Sequence, residues 1–462
     1  MRMPLDRRQF LIGSAAGLSS CWWNPLAAEP LRRPRVAAIF SEFRFRSHAF
    51  DFLENFIRPF LFSGKLVDPG VDVVSMYADQ FPKDDMARDV SKRFNIPLCP
   101  TIEDALTLGT GELAVDAVLS IVEHGQYPTN SRGVVMYPRK EFFDRAVCVM
   151  QRSNRFVPIF NDKHLSYRWD YAKAMYDVAQ SCGVPLMAGS SVPLAQRRGA
   201  GFQPARPGDT KSAGQVENLP HDAEIEEAVA IHGGGVEGYD FHGLELLQSF
   251  VESRRGGETG ISSVEFLEGD ALMRAAKSGR WSREIADAAM QAEQTMNEPV
   301  RGFGKNLGQG DIPIDPSHGV LVTYRDGLRA TVLKYGTSSN RWNFACRLKG
   351  DPTIQATAMF NGPWGNRNLF KALSHSVQHF FRTRRAPYPV ERTLLVSGVL
   401  DAAMWSRELN GCRINTPNLE WSYAARDFSA FRETGASWQV LTRETPEVKG
   451  FEPGDEALVK PR

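Results

Sequence analysis

Little in this chain points to a metal centre, a disulfide framework or a polyanionic partner. Its six cysteines are scattered through 462 residues without one Cys-x-x-Cys pair, which removes both the spacing of a zinc knuckle and the density of a disulfide scaffold. Single buried thiols are the expectation for Cys99, Cys148, Cys182, Cys346 and Cys412. Lys plus Arg number 55 against 54 for Asp plus Glu, so no basic surplus recommends nucleic acid or an anionic membrane surface as partner. Beyond the N-terminal stretch no apolar run reaches the roughly 18 residues that a membrane span needs. No internal repeat is present. What the chain does have is 42% hydrophobic and 24% charged residues, enough to bury a substantial core in two or three domains.

The N-terminus carries an address. Arg7 and Arg8 precede a mildly apolar run, Phe10 to Leu18, and a small-residue stretch ending at Ala27-Ala28. Charged, apolar and cleavable in that order is an export signal, and the paired arginines followed by Phe10-Leu11 resemble the twin-arginine type, which moves proteins already folded. The expectation is cleavage near Ala28 and an extracytoplasmic, periplasmic location. Leu18-Ser19-Ser20-Cys21 loosely resembles a lipidation site and leaves lipidation at Cys21 as the alternative.

After this leader and spacer (1–34), strand-like and helix-like segments alternate. Val36 to Phe40, Val71 to Tyr77, Ala117 to Val122, Val157 to Phe160 and Leu186 to Ala188 read as buried strands. Helical patterns intervene at His48 to Leu61, Asp84 to Phe94, Lys140 to Gln151 and Tyr167 to Cys182, and Thr101 offers an N-cap for another helix. Alternation of this kind predicts a doubly wound, Rossmann-like parallel sheet over 35–194. Composition then shifts to Arg, Gly, Pro, Lys and Ser, a linker over 195–220. From 221 to 442 the pattern is α+β: a strand at Glu227 to Ile231, a long helix from Phe241 to Glu252, and strands at Gly319 to Tyr324, Arg329 to Tyr335 and Trp342 to Leu348. Asp326-Gly327 is a hairpin signal between the first two of these three. Helices at Leu369 to Arg382 and Val390 to Leu409 close this open-sheet domain, and 443–462 reads as a loosely ordered tail.

Particular residues carry a family resemblance. Phe94-Asn95-Ile96-Pro97 and the following Thr101 to Leu106, the strand Val115 to Ile121, the run Val157-Pro158-Ile159-Phe160-Asn161-Asp162-Lys163, and Gly233-Gly234-Gly235 followed by Asp240-Phe241-His242 together resemble the Gfo/Idh/MocA oxidoreductases from Arg35 to about Leu409. Glu123 to Pro128 and Asp162 to Ser166 look like a divergent, exported, planctomycete-type subgroup. The resemblance implies NAD or NADP as cofactor, a sugar or sugar-derived alcohol as substrate, Lys163 as counterpart of the catalytic lysine, and Asp240 and His242 as counterparts of the Asp/His pair. Three departures accompany it. The turn after the first strand, Phe40 to His48, has no glycine where Gly-x-Gly-x-x-Gly lets backbone N–H groups approach a pyrophosphate. The ribose-binding acid falls late, at Asp79. Asp240 and His242 are two residues apart instead of four.

Read on their own chemistry, the same positions form a candidate site. Lys163 and His124 follow parallel strands, whose carboxyl ends open on the ligand crevice. Lys163 can hold a hydroxyl, with pairing to Asp162 as its structural alternative; His124 can serve as a base, or bond to backbone. His242 follows a glycine-rich approach. Asp240 shares no helix face with His242, so the two converge only if Asp240 lies at or near the N-cap, where capping alone would also account for it. Ser41, Arg44, Arg46 and Asp79 are the candidate cofactor contacts, the arginines offsetting the missing glycines. His48, Glu123, Asp162 and His164 complete an inventory that could serve metal-dependent lyase or hydrolase chemistry, although no ligand spacing supports a metal. A non-catalytic carbohydrate-binding protein is the other alternative, motivated by the missing glycines, and a homo-oligomer through the second domain stays open. Trp364 reads as core filling or as a sugar-stacking platform.

Overall fold

The computed structural model describes residues 32–199, 219, 222–294 and 315–459; the twin-arginine stretch, Cys21 and Ala28 lie outside them. Five strands of the first sheet arise where apolar runs are bounded by turn residues. Val36 to Phe40 are wholly buried, as a strand covered on both faces must be. The parallel order is Leu98–Cys99, Asp72–Ala78, Arg35–Phe40, Ala117–Ile121, Ile159–Asp162, Leu186–Gly189. Numbered along the chain, that is 3-2-1-4-5-6, with a topological switch between Arg35–Phe40 and Ala117–Ile121 where ligands bind in doubly wound sheets. The crossover helices begin and end where local chemistry dictates. Ser47 caps His48–Ile57 by accepting from Phe50 N at 3.3 Å, Thr101 caps Ile102–Thr107 through Asp104 N at 3.0 Å, and Gly183 at φ 70° stops Trp169–Cys182.

The second sheet is mixed and has eight strands, with Ile225–His232 parallel to Arg329–Lys334 and antiparallel to Trp342–Leu348. The Asp326-Gly327 hairpin joins His318–Tyr324 to Arg329–Lys334, closed by Tyr324 N donating to Leu328 O at 2.9 Å. Gly238–Val251 covers one face and Arg283–Gln294 the other, the latter through Ile285, Ala286 and Ala289 against Val229, Ile231 and Ala345.

Three differences from the sequence reading have physical causes. Ile261–Glu268 and Ile354–Phe360 are strands of this sheet whose polar alternation hid them. Gln196–Gly199, inside the expected linker, is a strand paired with Ile354–Phe360. Its arginines are buried because aromatic rings cover their guanidinium groups, Arg197 over Phe250 at 3.8 Å and Arg198 over Phe360 at 3.7 Å. The segment expected to be a loose tail is packed: Phe451 is buried against Phe43, Phe50 and Phe94, and Asp455 accepts from Leu61 N and pairs with Lys371.

The C-terminal half also returns to the first sheet. Asn366–Thr383 lies along His48–Ile57, with Phe370 edge-on to Phe52 at 5.0 Å. From Arg33 onward the described residues form one compact unit.

Candidate functional site

Residues just beyond adjacent strands of the first sheet meet the start of Gly238–Val251 around a cavity of about 260 Å3. Glu123 and His124 follow Ala117–Ile121, and Lys163 follows Ile159–Asp162. His48 and Asp51 come from the helix after Arg35–Phe40, while Tyr239 and His242 come from the helix over the second sheet. Lys163, His124 and His242, predicted from sequence, therefore converge. Arg46, His124 and Lys163 line this cavity with left-handed backbones, φ 61°, 69° and 62°, and Glu237 close by has φ 66°. Each such non-glycine residue carries backbone strain, and strain of this kind clusters where side chains must be aimed.

The electrostatic centre is Glu123. Its Oε1 accepts from Lys163 Nζ at 2.7 Å and its Oε2 from Arg139. Burial alone would raise this carboxyl, but Lys163 and Arg139 hold it well below the usual carboxylate range. Burial would likewise depress Lys163, and Glu123 outweighs it, keeping the ammonium charged. The wholly buried Arg139 also donates to His164 Nε2 at 3.1 Å. Burial first, and Arg139 next, keep His164 neutral. His242 is neutral because of burial and then the nearby Lys163 charge. Its Nδ1 is engaged by Ser190 Oγ at 2.6 Å, leaving Nε2 to exchange a proton with a ligand. His124 is pushed down to about 3 by burial and by His48. His48 Nδ1 is bonded to Asp162 Oδ2 at 2.6 Å, so the Asp162 hydrogen bond goes to His48, and Asp162 reaches Lys163 through its charge alone.

Asp240 does the capping that its place near the helix start predicts. It is the third residue of the helix and wholly buried, with Oδ2 accepting from Glu237 N at 2.7 Å and Oδ1 accepting from His232 Nε2 at 2.9 Å and His318 Nε2 at 2.8 Å. Burial would raise this carboxyl; the two imidazoles hold it below its ordinary value. These three side chains could also offer ligands to a metal, but the N–O spacings are those of N–H···O bonds, and Phe266 stacks on His318 at 4.8 Å. Four residues before His242, where the resemblance requires an acid, stands Gly238. A Cβ there would lie 3.7 Å from Lys163 Nζ; the carboxylate that Lys163 does meet is Glu123.

The cofactor candidates are all engaged by the chain itself. Ser41 Oγ donates to Glu123 O at 2.6 Å, Arg44 Nε to Glu42 Oε1 at 2.6 Å, and Asp79 accepts from the Tyr77 and Tyr127 hydroxyls at 2.9 and 2.7 Å. Arg46 grips Glu447 through two bonds of 2.8 Å. The loop thus offers side chains and no glycine backbone cradle.

Sequence reasoning missed Trp342 and Tyr239, which stack in parallel 5.4 Å apart and line the cavity. Gly234 permits this: a Cβ there would lie 1.9 Å from the Tyr239 ring. Trp364 is core, donating from Nε1 to Thr445 O at 3.2 Å. A larger hollow of about 820 Å3 beside Phe250, Glu252 and Tyr423 abuts Leu219 and Asp222, next to undescribed residues, and holds none of the strand-end side chains.

Because the folded chain depresses His242, the native state excludes a proton that the unfolded state takes up below about pH 6.5. Stability from this group is present above that value and is lost as pH falls through it. Replacing His242 with Gln removes the linkage. Urea unfolding should show wild type losing up to about 1.4 kcal/mol per pH unit, relative to His242→Gln, below about pH 6.5. A pH-independent difference would contradict a neutral, buried His242.

No protein-family model matches this chain and no curated protein does. Among solved structures it is similar to GenD2 from gentamicin A biosynthesis in complex with NAD, at 13% identity, covering 83% of this chain and 97% of that one with a TM-score of 0.49. It is also similar to myo-inositol 2-dehydrogenase from Lactobacillus plantarum, at 12% identity, 83% and 99% coverage and a TM-score of 0.48. An inositol dehydrogenase homolog complexed with NADH and myo-inositol from Azotobacter vinelandii gives 11%, 83%, 98% and 0.46.

Proposed function

We propose that this chain is an NAD(P)-dependent oxidoreductase acting on a secondary alcohol of a sugar or sugar-derived polyol, exported in folded form. One observation carries the reading: Lys163, from the end of a first-sheet strand, and His242, from the helix over the second sheet, line a single cavity of about 260 Å3, a size for one sugar ring. Lys163, kept charged by Glu123, donates to the hydroxyl oxygen and favours its alkoxide. His242 Nε2, neutral, takes the hydroxyl proton. Tyr239 and Trp342 line the cavity with apolar faces for the ring carbons. The chemistry that NAD(P) supplies when bound is acceptance of hydride from the carbinol carbon.

A phosphate would be met here by side chains, Arg46 of the first loop and Arg367 of the helix Asn366–Thr383. Arg46 and Arg367 already surround a carboxylate, Glu447, as a stand-in anion, and they are the residues that would hold the dinucleotide. Calorimetric titration of NAD and NADP into the purified protein tests this. Saturable binding of one of them is expected; stoichiometric sugar binding with no dinucleotide binding favours the carbohydrate-binding reading, which the glycine-free loop supports.

Export belongs to the same proposal, supported by Arg7-Arg8 ahead of Phe10-Leu11, as does the planctomycete-type subgroup, supported by Glu123 to Pro128 and Asp162 to Ser166. Replacing both arginines with lysine should leave folded protein in the cytoplasm, followed by fractionation and immunoblotting. Undiminished export of the double variant would remove the twin-arginine assignment.

A further inference from the structure

Arg46 and Arg367 converge on one carboxylate that belongs to the chain itself. Arg46 Nε meets Glu447 Oε1 and Arg46 Nη2 meets Glu447 Oε2, each at 2.8 Å, a fork against a fork. Arg46 Nη2 also donates to Trp364 O at 2.8 Å. Arg367 Nη1 lies 3.4 Å from Glu447 Oε1 and donates to Val448 O at 2.5 Å. The Arg367 side chain is 3% exposed and is framed by the Trp364 and Phe50 rings, with centroids 5.0 and 4.9 Å away.

Two carboxylates balance the two arginines. Glu54 takes one edge of Arg367, accepting from Nε at 2.9 Å and from Nη2 at 2.5 Å, so Arg367 turns only Nη1 to Glu447, which balances Arg46. Asp51 nearby is raised well above its ordinary value, by burial first and then by Glu54, so it adds no full negative charge. With Glu447 withdrawn, the clasp carries one uncompensated positive charge, on a guanidinium at the cavity rim. Guanidinium forks bind phosphate oxygens in the bidentate geometry they use for carboxylates. The left-handed backbone of Arg46, φ 61°, is a strained conformation for an arginine, and it aims the guanidinium here. Glu447 is a quarter exposed on its side chain, and an ion pair that open to water is easily exchanged.

We propose that Arg46 and Arg367 form a phosphate-binding clasp beside the cavity and that Glu447 is its internal occupant, displaced when a phosphate-bearing ligand binds. The inference builds on the dinucleotide reading above. The ligand chemistry is a phosphate ester or pyrophosphate, which a dinucleotide or a phosphorylated sugar could bring.

The test is calorimetric titration of NAD, NADP, inorganic pyrophosphate and glucose 6-phosphate into the full chain as wild type, Glu447→Ala and Arg46→Ala, with melting curves to confirm folding. Removing the competitor should tighten the phosphate-bearing ligand about tenfold, and removing the fork should weaken it about ten- to hundredfold, the size of one charged hydrogen-bond pair. Tightening for a dinucleotide supports both clasp and cofactor. Tightening for pyrophosphate or glucose 6-phosphate, with no dinucleotide binding to any folded variant, supports the clasp and overturns the dinucleotide reading. Equal dinucleotide affinity in wild type and Glu447→Ala overturns the clasp and leaves the cofactor reading standing. Absence of binding by every probe to every folded variant overturns the clasp.

Discussion

Lys163→Ala should reduce turnover roughly a thousandfold while leaving dinucleotide affinity nearly unchanged, a loss of the size seen when one donor to a developing oxyanion is removed. The cause is specific. Lys163 Nζ is the cation that Glu123 holds in the cavity at 2.7 Å, and the proposed alkoxide has no other ammonium beside it. The variant should stay folded, because Glu123 keeps its second partner, Arg139. Steady-state kinetics on an accepted sugar, set against calorimetry with the dinucleotide, separate the two effects. A parallel fall in cofactor affinity, or near-normal turnover, would contradict the assignment of Lys163 to the hydroxyl.

Glu123→Ala should be destabilised by about 3–5 kcal/mol, the cost of leaving buried cations without their anion. Arg139 is wholly buried and Lys163 nearly so, and both lose the carboxylate that balances them. Without it, burial of Lys163 is opposed by Asp162 alone, and the lysine's affinity for the proton falls. Urea unfolding gives the stability, and the pH profile of Glu123→Gln, the better-folded variant, gives the second readout. The alkaline limb set by Lys163 should move to lower pH. Stability within about 1 kcal/mol of wild type would mean that the Glu123 cluster is far more hydrated than its burial indicates.

Much of the first sheet was legible because its strands are short apolar runs buried on both faces and its helices carry caps that side chains announce. Thr101, Gly183 and the Asp326-Gly327 turn did what their chemistry predicts. Lys163 and His124 were legible for a related reason, since the end of a parallel strand fixes where the next side chain lies. The second sheet was harder. Gln196–Gly199 reads as a charged linker, and only Phe250 and Phe360, far along the chain, explain why two arginines can be buried there. Asp240 could not be separated from a site residue, because its partners His232 and His318 are contributed by two strands that sequence spacing does not connect. The grip of Arg46 on Glu447 spans 401 positions, and no local pattern encodes it.

Hydride transfer tests the account most directly. Wild-type protein is mixed with NAD or NADP and a panel of sugars and cyclitols, and reduced nicotinamide is followed by absorbance, with Lys163→Ala as the control. The account predicts reduced cofactor with at least one polyol in wild type and almost none in the variant. Stoichiometric sugar binding without any reduction, at saturating NAD and NADP, would contradict it and leave a sugar-binding protein on this fold.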